Sequence, residues 1–208
     1  MWDLQTKSIW SPFDGVALDG PPRGIVLPRI PCYQTTWREW LALHPDTEVV
    51  TWQPWATHRD ARHGHGTMKW LGSSGVGERF MVTIESGGLD IRLPENELTL
   101  GVQINGKSRT YPLSELRRAN NVANDEYNGE SVVVFAASDS HTMGGFLRKL
   151  NDQVLDFTRA GGLYRDTQSG STWNIEGLAI DGPLKGAQLT PIDFYFTESF
   201  YSPPNTSK

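Results

Sequence analysis

Apolar and polar positions alternate along much of this chain, and turn residues break the alternation at short intervals. Leu98–Ile104 and Lys107–Tyr111 are strand-like runs on either side of Asn105-Gly106. Asn-Gly is the dipeptide favoured by the type I′ hairpin turn, in which both central residues take positive φ. Ser131–Ala136 is an unbroken apolar and β-branched run after Asn128-Gly129, the pattern of a central strand buried on both faces. Phe146–Leu150 and Gln153–Phe157 flank Asn151-Asp152 as a second hairpin. Strands at intervals of about 8–12 residues predict a sandwich, barrel or meander. A helical period occurs in two short places. Thr35-Thr36 followed by Trp37, Trp40, Leu41 and His44 places four large residues at i, i+3, i+4 and i+7. Thr36 and Glu39 have capping-box spacing, and Pro45 stops the helix. Leu113–Arg118 is a turn or two of helix with Leu113 and Leu116 facing in. Glu48–Trp52 reads as a short strand, and Arg79–Ile84 as a strand or the start of a helix. The expected fold is therefore mostly β, a β-rich α+β arrangement of hairpin and meander units with one or two short helices.

Part of the pattern occurs twice. Asp3-Leu-Gln-Thr-Lys-Ser-Ile-Trp10 reappears as Asp166-Thr-Gln-Ser-Gly-Ser-Thr-Trp173. Gly15-Val-Ala-Leu-Asp-Gly-Pro-Pro-Arg-Gly24 then matches Gly177-Leu-Ala-Ile-Asp-Gly-Pro-Leu-Lys-Gly186, followed by Leu27 with Leu189, Ile30 with Ile192 and Tyr33 with Tyr195. The identities include Trp, Gly and Pro, and they point to a duplicated unit. Its physics is readable: turn residues lead into a short strand that ends on a Trp able to bury up to ~250 Å², and Asp-Gly-Pro makes the next turn. The Trp is expected to be a core anchor. Trp37 and Trp40 are expected to be buried too, as is the single cysteine, Cys32, which lies in an apolar-flanked stretch.

Composition narrows the function. The 208 residues carry a net charge of −5 without charge blocks, so neither a nucleic-acid partner nor an anionic membrane surface is indicated. No apolar stretch approaches the ~18 residues of a membrane-spanning helix, and no signal peptide is visible. One cysteine excludes an internal disulfide framework and cysteine-based zinc sites.

Two clusters offer chemistry. His58, His63 and His65 lie in an irregular Gly-rich stretch, and His63 and His65 would share one face of a strand. Such a set can hold zinc or copper; Arg59 and Arg62 beside it oppose a cation, and a solvated loop is the plainer reading. Ser138-Asp-Ser-His141 contains the residue types of a hydrolytic triad, but triads are assembled in space and no Gly-x-Ser-x-Gly elbow is present. A polar turn is the simpler account. Phosphate loops, dinucleotide fingerprints and EF-hand loops are absent from the sequence.

The order of the pieces resembles a bacterial and archaeal family, domain of unknown function 3179. The resemblance rests on Thr36–Thr47, Gly101–Leu113, Asn124-Asp125 with Gly129 and Val132–Phe135, Val154–Phe157, Asp166 with Ser171 and Trp173, and Ile180–Gly186. Members often carry Cys-Pro-x-Cys-Gly after the Val-rich strand. This chain reads Phe135-Ala-Ala-Ser-Asp-Ser-His-Thr-Met-Gly-Gly145 there, so no role of that cysteine pair carries over. Set against the family, residues 1–52 correspond to the tail of a first unit, 53–92 to a His/Gly-rich connector and 93–208 to a second unit, together expected as one body. The resemblance implies an extracytoplasmic setting, in the envelope or secreted, and no established activity. The resulting expectation is a non-catalytic binding or assembly subunit with a protein partner or a second copy. A metal-binding module or metal-dependent enzyme using His58–His65 is the alternative. An incomplete β unit leaves strand edges open, which residues 3–50 can close by folding back or by pairing with another subunit.

Overall fold

The computed structural model describes residues 1–11, 15–28, 30, 32–49 and 97–198, with 194–198 described by backbone alone. The described chain forms two units, Met1–Cys32 and Tyr33–Lys208.

In the first unit β1 (Ile9–Trp10) pairs antiparallel with β2 (Ala17–Asp19), with a register shift between Ile9 and Trp10. Met1 and Trp10 exchange hydrogen bonds: Trp10 N donates to Met1 O (2.7 Å) and the terminal amine donates to Trp10 O (2.8 Å). Residues 1–3 thus lie beside β1, and Trp2 bridges to Ile9.

The second unit begins with α1 (Trp37–Leu43), capped as its sequence predicts: Glu39 N donates to Thr36 Oγ1, and Thr36 N donates back to the Glu39 carboxylate. Its apolar stripe is not a core anchor. Trp37 is 54% exposed and no residue of the helix is buried. At seven residues α1 is two turns long, and Trp40 lies against the His44 ring (4.1 Å) and donates to Thr47. Glu48 and Val49 are irregular, and the rest of the expected Glu48–Trp52 strand lies outside the described residues.

β3 (Leu98–Ile104) and β4 (Lys107–Pro112) form the predicted hairpin, with Asn105 and Gly106 at φ +49° and +75°. α2 (Leu113–Arg118) follows and buries Leu113 and Leu116. β5 (Val122–Tyr127), β6 (Glu130–Ala136) and β7 (Met143–Leu147) then run as an antiparallel meander. β8 (Lys149–Leu150) and β9 (Gln153–Val154) form a small hairpin on Asn151-Asp152. β10 (Phe157–Ala160), β11 (Leu163–Asp166), β12 (Thr172–Trp173) and β13 (Ala179–Asp181) make a second four-stranded sheet. β14 (Thr190–Pro191) adds to β7, and β15 (Phe194–Glu198) adds to β3.

β6 separates two cores, and strand alternation explains why. Val132, Val134 and Ala136 pack with Leu100, Val102, Tyr111, Leu113, Leu116 and Met143. Val133 and Phe135 pack with Phe146, Leu155, Phe157, Tyr164, Trp173 and Leu189. Both faces of β6 are therefore buried, as its unbroken apolar sequence requires. Phe135 stacks on Tyr164 (3.9 Å between centroids) and meets Phe157 edge-on (5.2 Å).

Cys32 departs from expectation: it is exposed. Its apolar neighbour Ile30 is itself 81% exposed, so a run of apolar residues here does not mark burial. A thiol reagent is therefore expected to modify Cys32 in the native protein as fast as it modifies the unfolded chain. Labelling that requires denaturant would contradict this.

Candidate functional site

Three sets of residues gather polar or apolar groups in one place, and the first two are closed on themselves. The first lies where the start of α1 meets the loop between β6 and β7. Glu39 Oε1 accepts from Ser140 Oγ (2.6 Å), and Oε2 accepts from the hydroxyls of Thr36 (2.8 Å) and Thr142 (3.1 Å). Ser140 and Thr142 are buried, and Arg117 donates to the Ser140 carbonyl (3.0 Å). Burial alone would raise the Glu39 carboxyl, but the bonds from Ser140 and Thr36 outweigh it and hold it below the usual range. A carboxylate so stabilised is a poor proton acceptor. His44, at the other end of α1, pairs with Glu176 (2.7 Å). Burial, with the Glu176 charge behind it, pushes the Tyr33 hydroxyl up to about 12.

The Ser138-Asp-Ser-His141 run does not form a triad. Ser138 accepts from Arg159 (3.0 Å), Ser140 donates to Glu39, and Asp139 and His141 are exposed. The histidine candidates His58, His63 and His65, and with them the zinc or copper reading, lie outside the described residues. Among the described residues no three His, Cys, Asp or Glu side chains are grouped as a metal site.

The second set is the cage around Asp166. Its Oδ1 accepts from Ser169 N (2.5 Å), and Oδ2 accepts from Ser169 Oγ (2.7 Å), Ser171 N (3.1 Å) and Trp173 Nε1 (2.9 Å). Asp166 and Trp173 are both buried. Burial would raise this carboxyl, yet the Trp173 indole and the Ser169 donors keep it below its ordinary value. The cage anchors a turn rather than presenting a reactive group. Asn124 is used in the same structural way. Its amide donates to Phe157 O (2.8 Å) and accepts from Phe157 N (2.9 Å), standing in for a strand partner between β5 and β10.

The third set lies in the Met1–Cys32 unit, where the Trp turn is built with the same bonds. Asp3 Oδ1 accepts from Thr6 N (2.5 Å), and Oδ2 accepts from Thr6 Oγ1 (2.7 Å) and Trp10 Nε1 (2.9 Å). Trp10 pairs with Ala17 as Trp173 pairs with Ala179, each with a register shift at the same step. Ala17 N donates to Ile25 O and Ala179 N to Ala187 O, both at 2.9 Å. Gly20 and Gly182 take φ of +95° and +91°. A Cβ on Gly20 would lie 2.2 Å from Ser8 Oγ, and one on Gly182 would lie 2.7 Å from Ser171 Cα. Each Asp-Gly-Pro thus requires its glycine for conformation and for space.

The two turns differ in what covers them. Trp173 and Leu189 have no exposed area, and Ile192 is 6% exposed. Trp10 is half-buried, Leu27 is 49% exposed and Ile30 81%. Beside Trp10 opens a cleft of about 590 Å³ lined by Met1, Trp2, Trp10, Gly15, Pro22 and Leu27, among others. This volume is within the range of ligand pockets. The two turns were matched in the sequence, but the cleft was not, because the aligned residue types do not say which turn is covered.

The described residues thus define a strand-rich protein with two Trp turns caged by matching bonds. The family model described as "Protein of unknown function (DUF3179)" matches residues 1–201, nearly the whole chain, and the protein belongs to that family. Comparison with curated proteins and with solved structures gave no match. Among the described residues no helix is long and apolar enough to cross a membrane.

Proposed function

We propose that this protein is a non-catalytic binding or assembly module, a duplicated Trp-turn protein that engages another polypeptide through its amino-terminal unit. The observation that carries this reading is the contrast between the turns. Trp2, Leu18, Ile25, Val26, Leu27 and Ile30 are exposed in a unit of about thirty residues, the concentration of apolar surface that marks interaction sites. The polar clusters support it from the other side, since Glu39, Asp166 and Asn124 each bond to donors within the fold. An extracytoplasmic setting, expected from the family resemblance, is part of this proposal.

Light scattering on the purified chain at micromolar concentration, with pull-down from source cells, tests the reading. The expected result is a complex of defined stoichiometry that Leu27→Asp abolishes without unfolding the Tyr33–Lys208 unit. A stable monomer that retains no stoichiometric partner would overturn it.

A further inference from the structure

We propose that Asn105 is a site of covalent self-modification, converting to aspartate and isoaspartate in the folded protein, while Asn128, its counterpart in the next hairpin, is held against the same reaction.

Glycine after asparagine leaves the main-chain amide unhindered, because it puts no side chain beside the attacking nitrogen. The chain holds two such pairs, Asn105-Gly106 and Asn128-Gly129. Each fills the two central positions of a hairpin turn, outside the ladder: Ile104 pairs with Lys107, and Tyr127 with Glu130. Both asparagines take φ of +49°, followed by glycine at +75° and +87°. A Cβ on either glycine would meet nothing within 4 Å. Neither φ nor crowding at the glycine therefore separates the two sites.

Their side chains do. Asn128 is partly buried, and its Nδ2 donates to Ile104 O at 2.9 Å and to Asn105 O at 3.5 Å. Asn105 is exposed, and among the described residues its Nδ2 reaches Asn128 O alone, at 3.5 Å, beyond the ordinary range of such a bond. The two amides thus cross between hairpins of different sheets, β3–β4 and β5–β6. One half of this clasp is firm and the other is loose.

The reaction needs water and no other reactant. Gly106 N attacks Asn105 Cγ, the Cγ–Nδ2 bond breaks, and ammonia leaves with the proton of the Gly106 amide. Water then opens the five-membered imide at either carbonyl, giving aspartate or isoaspartate, and nothing is oxidised or reduced. Attack requires the asparagine side chain to swing onto its own following amide. Asn105 gives up one long bond to do so, whereas Asn128 must first leave Ile104 O. Isoaspartate adds an atom to the main chain of a two-residue turn, and either product adds a negative charge to a chain already at −5.

Peptide mapping that separates asparagine, aspartate and isoaspartate tests the proposal on the full chain, aged at mildly alkaline pH both folded and in concentrated urea. Each folded rate is divided by the rate of the same site in urea, which removes the effect of neighbouring residues. The ratio for Asn105 is expected to exceed that for Asn128 about fivefold or more, the factor that one retained hydrogen bond supports. Asn105→Gly, which accepts the positive φ of the turn, is expected to abolish the main product and leave Asn128 slow. Equal ratios, a larger ratio at Asn128, or no conversion of folded Asn105 while the unfolded chain converts would overturn the inference.

Discussion

Trp173→Ala is expected to lower the stability of the Tyr33–Lys208 unit by about 3–5 kcal/mol, the usual cost of truncating a buried tryptophan. The side chain has no exposed area, packs edge-on against Phe157 and donates to Asp166. Its loss opens a cavity and leaves a buried carboxylate short of a donor. For a unit of this size the thermal midpoint should fall by about 10 °C or more. The matching change Trp10→Ala removes an indole with the equivalent bond to Asp3 but with part of its surface left in solvent. It should cost its own unit about 1–2 kcal/mol. Urea titration followed by near-ultraviolet circular dichroism checks both. Equal losses at the two positions would show that Trp10 is covered after all.

Asp166→Ala is the second large effect, expected at about 3 kcal/mol or more, because it strands several donors inside a buried turn. The Trp173 indole, the Ser169 and Ser171 amides and the Ser169 hydroxyl all converge on this carboxylate. Since Trp173 and Asp166 share a bond, the double variant should lose less than the sum of the single ones. The pH dependence has a definite sign. The folded Asp166 carboxyl titrates below its ordinary value of 3.8. Its contribution is therefore fully present above the unfolded pKa and is lost as pH falls through the depressed folded pKa. Asp166→Asn should remove that part of the acid sensitivity, so the wild-type and variant stability curves converge as the pH drops below about 3.9. Curves that stay parallel through that window would mean the carboxylate is not stabilised by its cage.

What the sequence made legible was local. Asn105-Gly106 set a hairpin because both residues take positive φ. Thr36 and Glu39 set the helix start through a box closed within four residues. Val132–Ala136 set the central strand because burial on both faces leaves no polar position. The aligned Asp, Gly and Trp of the two turns foretold matching bonds. Distant pairings were not legible. Glu39 and Ser140 lie 101 positions apart, and neither carries a spacing signal. Trp37 followed the helical period of Trp40 and was expected inside, but a two-turn helix with no buried residue leaves it in solvent. The cleft was illegible for a different reason. Trp10, Gly15 and Leu27 line it where Trp173, Gly177 and Leu189 stand in the second turn, and nothing in those residue types says which turn is covered.

The Trp173 turn is buried in its unit, and its counterpart at Trp10 is only partly covered. Hydrogen exchange at two equivalent amides tests it most directly: Ala17, bonded to Ile25 O, and Ala179, bonded to Ala187 O, at the same 2.9 Å. In the free chain Ala179 is expected to exchange only through unfolding of its unit, and Ala17 about a hundredfold faster or more through local opening. In the complex Ala17 should slow toward the rate of Ala179. Equal protection of the two amides in the free monomer would contradict the account.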